Sequence, residues 1–187
     1  MTRWQLLIGL EARSLDDLVV LGLLVQHQPA ADAVERPMRS MKTIWEIVLH
    51  VTARAERARL RMDGFALAEP TPAEDWPRIP VPCTAAAWEY SQIQMANAYR
   101  SMAVRVCEVM SSGFLKVVEK QSYNVATMAD GVSEHGAYHA GQIVLLRKEL
   151  GDDGLDNGPA TIRVHLERLD GWAPSESTIW RVLRERG

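Results

Sequence analysis

The sequence has few cysteines, no long apolar run and no recognisable leader. Cys83 and Cys107 are its two cysteines, too few for a disulfide framework, and both are interpreted as small buried hydrophobic residues. No apolar stretch approaches the ~20 residues that a transmembrane helix needs. The N-terminus shows neither the apolar region nor the small-residue cleavage site of a secretory signal. We therefore expect a soluble, cytoplasmic protein that does not enter a membrane.

An excess of charge of one sign is also lacking. The chain has 21 basic and 24 acidic side chains, for a formal net charge of −3. No global field therefore attracts nucleic acid or an anionic membrane, and any such binding has to be local. Strand-like alternation is scarce, whereas apolar residues recur three and four apart over long windows. This periodicity predicts an all-α protein.

Four long windows predict a four-helix bundle. The helices are expected at about 4–26, 42–63, 84–111 and 127–151. The prolines between residues 65 and 83 cannot lie inside one helix and predict a long ordered loop before the third helix. Thr84 is expected to cap that helix, and Gly151 to end the fourth. The bundle is assigned to residues 1–151, and residues 152–187 form a short C-terminal helical appendage.

One predicted face of the fourth helix points toward the core and carries two histidines. Its members recur at steps of three and four: Met128, Val132, His135, His139, Gln142 and Leu146. His135 and His139 are therefore i,i+4 neighbours, a spacing that lets two imidazoles reach one ion. His50 is the favoured third ligand, because the apolar stripe of the second helix places it in the body of the bundle.

Several polar residues near these histidines have two readings. Glu46, one turn before His50, is a candidate to orient that imidazole. Tyr138 and Gln142 either act near a metal or pack with satisfied polar tips, and no residue is assigned as catalytic. For the histidines themselves, the usual alternative to a metal site is a core imidazole that hydrogen-bonds to a backbone or side-chain acceptor. The tryptophans expected to supply core area are Trp45, Trp76 and Trp88.

Two segments resemble a known family. Residues 40–50, SMKTIWEIVLH, look like the second-helix signature of the DinB-like (damage-inducible) metalloprotein superfamily, and residues 134–148, EHGAYHAGQIVLLRK, resemble its fourth-helix motif closely. The Asp-Trp-Pro at 75–77 and the Thr-Ala-Ala-Ala-Trp at 84–88 are similar to the loop and third-helix opening of some members. The resemblance covers about residues 36–151.

This resemblance implies a four-helix bundle, often dimeric, with a divalent metal on three histidines. His50, His135 and His139 fall on the ligand positions. Three neutral imidazoles with an open position describe a catalytic site, and they do not select among Zn²⁺, Ni²⁺, Mn²⁺ and Fe²⁺. The resemblance further implies a small-molecule substrate and a homodimer.

The expected function is that of a metal-dependent thiol transferase. The superfamily resemblance includes transferases that use bacillithiol, mycothiol or glutathione, so a low-molecular-weight thiol is the expected cosubstrate. A bound metal lowers the pKa of a thiol or of a water molecule, which leaves a metal-dependent hydrolase as the first alternative. A non-catalytic metal-binding protein is the second alternative, and a DNA-binding protein is the third.

The DNA-binding alternative depends on the C-terminal segment. Residues 158–162 and 177–187 resemble part of the helix-turn-helix of insertion-sequence transposases, and Arg181, Arg184 and Arg186 could meet phosphates. The competing interpretation is an appendage whose apolar face packs on the bundle or on a partner. A single short helix pair offers less contact area than specific DNA binding usually needs, so specific nucleic-acid binding is not expected.

Overall fold

The structure is a computed structural model that describes residues 21–22, 24–26, 28–110, 116–118 and 121–151. Over these residues the protein is all-α, as predicted. The helices are α1 (Ala30–Val34), α2 (Ile44–Met62), α3 (Pro72–Asp75), α4 (Ala85–Met110) and α5 (Val125–Glu149). The predicted appendage, residues 152–187, lies outside the described residues. Most of the predicted first helix, residues 4–26, also lies outside them. Within the described residues, no helix combines the length and apolar character that a membrane crossing requires.

Helix α2 is the central element and contacts α1, α3, α4 and α5. It begins with a capping box, in which Thr43 accepts from the Glu46 backbone amide and the Glu46 carboxylate accepts from the Thr43 amide. Its predicted apolar stripe, from Ile44 to Ala58, is buried. The largest side chains buried by these contacts are Trp45, Tyr99, Ile44, Ile47, Met95, Met102, Ile143 and Leu146.

The predicted ends of the other long helices hold to within two residues. Thr84 caps α4, since its hydroxyl accepts from the Ala87 amide at 3.2 Å. Helix α5 starts two residues before the predicted Thr127, because the Asn124 side chain caps it by accepting from the Thr127 amide. Gly151 follows α5 with a φ of 79°, a left-handed conformation that glycine adopts without a steric cost.

Helices α2 and α5 run antiparallel. His50, in the first half of α2, lies beside His135 and His139 of α5. Arg61, at the other end of α2, donates to the hydroxyl of Tyr123, which precedes α5. This arrangement brings one histidine-bearing turn of α2 against two turns of α5.

A helical segment, described at residues 21–22 and 24–26, accepts hydrogen bonds from the long helices through its backbone carbonyls. Leu24 accepts from the Arg147 guanidinium of α5 at 2.6 Å, and Val25 accepts from Gln92 of α4 at 2.6 Å. The segment ends at Gln26, where the predicted first helix ends. Its other end lies outside the described residues.

The structure of the loop before α4 differs in two respects from what the sequence predicts. It contains α3, a single helical turn that was not predicted, with Pro72 at its start and a capping box between Thr71 and Glu74. Cys83, expected to be buried, is exposed in this loop, since none of the described elements packs over residues 80–86. Cys107 is half-buried on α4.

Candidate metal centre

The three predicted histidines meet between α2 and α5. The Nε2 atom of His135 lies 3.0 Å from Nε2 of His50 and 3.1 Å from Nε2 of His139. One ring nitrogen from each residue fits within 4.8 Å of the others, an arrangement that could hold a metal ion. His50 and His139 are buried and His135 is half-buried.

The α3 turn determines the tautomer of His50. The Nδ1 atom of His50 lies 2.5 Å from the backbone oxygen of Asp75, and the carboxylate oxygen of Asp75 is 3.4 Å away. A carbonyl oxygen only accepts, so Nδ1 carries the proton and donates it. The Nε2 atom of His50 is therefore left with a lone pair that faces the other two histidines.

Two polar side chains of α5, Gln142 and Tyr138, determine the tautomer of His139. Its Nδ1 atom donates to the Gln142 side-chain oxygen at 2.7 Å. The orientation of that amide is set at its other end, where the Gln142 nitrogen donates to the Tyr138 hydroxyl at 2.9 Å. The Nε2 atom of His139 therefore also presents a lone pair, and Gln142 is one of the residues that the sequence had placed near the site.

With these tautomers, the Nε2 atoms of His50 and His139 have no proton. Among the three Nε2 atoms only that of His135 can carry a proton, and one N–H serves one good acceptor. The buried Nδ1 atom of His135 has no hydrogen-bond partner among the described residues. Lone pairs therefore face one another at a centre where a cation would be stabilised.

The spacing of the nitrogens also suits a divalent ion. Ligands about 2.0–2.1 Å from one ion, at angles between octahedral and tetrahedral, lie about 2.9–3.4 Å apart. Two of the three nitrogen separations, 3.0 and 3.1 Å, fall in that interval, and all three nitrogens lie within 4.8 Å of one another. The donor set, three neutral imidazoles oriented by neighbouring acceptors, is one that Zn²⁺, Ni²⁺ and Fe²⁺ accept.

Trp76 covers one face of the cluster. Its ring stacks on His50 with centroids 3.8 Å apart and planes at 1°, and it meets His139 edge-on at 6.0 Å. Trp76 had been expected as a core residue, but it is half-buried and follows α3 directly. The stacked indole limits how water can reach the His50 ring.

Burial holds all three imidazoles in the neutral form. Loss of solvation, together with the charges of His139 and His50, lowers the pKa of His135 to about 3. Loss of solvation, together with the charge of His50, lowers the pKa of His139 to about 4. The pKa of His50 is lowered by the same cause, although the backbone oxygen of Asp75 opposes the shift. Neutral imidazoles are the form that binds metal.

The expected role of Glu46 is wrong. Its carboxylate accepts from the Thr43 amide and pairs with Arg36 at 2.6 Å, so it caps α2. One turn along the helix separates it from His50, and the His50 ring turns instead to Asp75. The sequence did contain a signal for this partner, because Thr71, Pro72 and Glu74 form a capping-box pattern that predicts a helical turn ending next to Asp75.

Comparisons with models of protein families, with curated proteins and with solved structures found no match to this chain. The class that fold and site define is therefore an all-α protein with a buried three-histidine cluster.

Metal affinity is expected to stay nearly constant from about pH 7.5 to about pH 5.5, changing less than about 10-fold. The folded-state pKa values of about 3 and about 4 are depressed, so protons displace the metal only as the pH falls toward those values. Competition with a chelator of known pH dependence measures this. Three imidazoles of ordinary pKa would instead lose more than about 100-fold over the same interval, and such a loss would contradict the assigned burial effect.

Proposed function

We propose that the chain binds one divalent metal ion through the Nε2 atoms of His50, His135 and His139, and uses it in catalysis. The observation that carries the proposal is the orientation of the imidazoles. Two of them are committed by Asp75 and Gln142 to present lone pairs toward the third.

Three protein ligands leave at least one coordination position open, which is typical of catalytic sites. An ion held there lowers the pKa of a thiol or a water molecule at the open position. The ion can be Zn²⁺, Ni²⁺, Mn²⁺ or Fe²⁺, since imidazole ligands alone do not discriminate strongly among them.

The residues around the cluster have separable tasks in this proposal. The Asp75 carbonyl and the Gln142 amide hold a proton at Nδ1 of their histidines and keep the rings oriented. Trp76 excludes water from one face of His50. His135, whose Nδ1 has no hydrogen-bond partner within the described part of the chain, lines a cavity between α2 and α5 from which a small molecule can reach the centre.

The reaction that we propose is transfer involving a low-molecular-weight thiol. Its support is the resemblance of residues 40–50 and 134–148 to the DinB-like superfamily, together with an open site able to stabilise a thiolate. In such a step the sulfur forms a bond to an electrophilic carbon, the leaving group departs with its electron pair, and the thiol proton passes to solvent. The same proposal takes the chain as a cytoplasmic, homodimeric four-helix bundle.

Metal-loaded protein is expected to accelerate the reaction of monobromobimane with bacillithiol, mycothiol or glutathione. The fluorescence of the product measures turnover, and bromide is the leaving group. His139→Ala is expected to lower the rate by about 10-fold or more, since even residues that only orient a metal ligand reach that range. His165→Ala, the same change outside the proposed ligand set, serves as control.

Two other results would replace the thiol proposal. Metal-dependent hydrolysis of esters or amides, with no turnover of any of the three thiols, would establish the hydrolase alternative. Metal binding without either activity would establish a metal-binding protein that is not an enzyme.

A further inference from the structure

A cavity of about 340 Å³ lies beside the histidine cluster, between α2 and α5. This volume is within the range of sites for small molecules, about 300–1,000 Å³. The residues that line it are Arg54, Arg57, Ala58, Arg61, Tyr123, Thr127, Met128, Gly131, Val132 and His135. A proposed metal ligand, His135, is thus part of the wall, so a molecule in this cavity lies next to the centre.

One wall of the cavity is a row of arginines. Arg54, Arg57 and Arg61 follow at i, i+3 and i+7 on α2, and Arg54 is one turn beyond His50. Across the cavity, Gly131 of α5 has no side chain, and a Cβ atom built there would meet nothing within 4 Å. The arginine row therefore faces open space.

Not every donor of these guanidiniums has an acceptor within the part of the chain that the structure describes. The Nε atoms of Arg57 and Arg61 are buried and have no hydrogen-bond acceptor among the described residues. The side chain of Arg61 is only 9% exposed, and its other nitrogens donate to the Tyr123 hydroxyl, to the Leu67 carbonyl and to Glu69. Arg57 also donates to the carbonyl of Ala68.

None of the described residues that line the cavity has a carboxylate. The acidic groups near the row come from the loop that includes α3: Asp75 pairs with Arg54 at 2.6 Å and Glu69 with Arg61 at 3.1 Å. The exposed carboxylate of Glu74 interacts with Arg57 through space. None of these three acids borders the cavity, whose polar lining consists of guanidinium, hydroxyl and imidazole groups.

We propose that this cavity binds an oxyanion, a carboxylate or a phosphate group, of the molecule that reacts at the histidine centre. Planar guanidiniums donate two parallel hydrogen bonds to such groups, and the phenol of Tyr123 adds a further donor. The inference rests on the proposed metal site and names its substrate class: a small anionic molecule whose negative end lies along the arginine row and whose reactive end lies at His135.

Titration calorimetry with the full-length chain tests this with two probes, malonate for a carboxylate and inorganic phosphate for a phosphate. Each is titrated into metal-free and into cobalt-loaded protein. Saturable binding of at least one probe is expected. Arg57→Gln should weaken it by about 10-fold or more, whereas Arg59→Gln should change it by less than about 2-fold. Arg59 is a matched control because it lies on the same helix, loses the same charge and pairs with Asp63 away from the cavity lining.

A second variant tests the position without removing an arginine. Gly131→Leu places a side chain into the space across from the row, where its Cβ atom meets nothing within 4 Å, and should weaken binding of the same probe. If Arg57→Gln does not fold, Gly131→Leu alone tests whether the anion binds in this cavity. The probe that binds more tightly identifies the anion as carboxylate or phosphate.

The outcomes separate the two proposals. No saturable binding of either probe, or an equal loss in Arg57→Gln and Arg59→Gln, overturns the oxyanion site even if cobalt binds. Failure to bind cobalt, with probe binding that depends on Arg57, overturns the metal centre and the reactive role of the cavity while leaving an anion site.

Discussion

The His135→Ala variant is expected to bind the proposed divalent metal at least about 100-fold more weakly than the wild-type chain. The effect is large because His135 is the middle ligand, with its Nε2 atom 3.0 and 3.1 Å from the other two. Even residues that only orient a ligand change affinity by about 10–100-fold. Removal of this imidazole leaves two nitrogens and no third donor at the centre.

Elemental analysis of untagged protein and chelator competition measure this loss. Wild type is expected to hold about one divalent ion per chain, the stoichiometry of a single three-ligand site. His50→Ala and His139→Ala should resemble His135→Ala, while His27→Ala and His165→Ala should match wild type. A His135→Ala variant that binds the metal as tightly as wild type would contradict the assignment of His50, His135 and His139 as ligands.

The Trp45→Ala variant is expected to lose about 3–5 kcal/mol of unfolding free energy, the range for a large aromatic residue deleted from a core. Trp45 is fully buried on α2 and packs against Trp88 of α4 with ring centroids 5.2 Å apart. Its indole nitrogen also donates to the Ser91 hydroxyl at 2.9 Å. The change therefore opens a cavity between α2 and α4 and removes a buried hydrogen bond.

Chemical denaturation, followed by circular dichroism, measures the difference. Tyr90→Ala is the matched control, because Tyr90 is an aromatic residue on α4 that is 63% exposed, and its loss should change stability by about 0.5 kcal/mol or less. A Trp45→Ala loss below about 1 kcal/mol would mean that α2 and α4 do not pack through this pair.

Local signals in the sequence predicted the helices well. Thr84 and Gly151 marked two helix ends because capping and left-handed glycine depend on the few residues around them. The buried stripe of α2 followed from its spacing of three and four residues. The prediction starts α5 at Thr127, two residues late, because it does not include the cap that the Asn124 side chain forms.

The histidine set was also predictable, for a different reason. His135 and His139 share a face because of their spacing, and His50 lies on the other helix with a strong apolar stripe. His50 and His135 are 85 residues apart in the chain. Only the tertiary structure shows how close their imidazoles come.

The sequence by itself therefore determined the helical class, the helix ends and the faces that carry the three histidines, since these depend on local spacing and capping. Only the tertiary structure decided which groups surround them. The cap that Glu46 forms on α2 follows from the local capping-box pattern with Thr43. The tertiary structure brought the Asp75 carbonyl and Trp76 onto His50, and it left Cys83 exposed. These outcomes depend on how the proline-rich loop folds back over α2, where one unpredicted turn places its last residues against the histidines, and no local periodicity encodes that path.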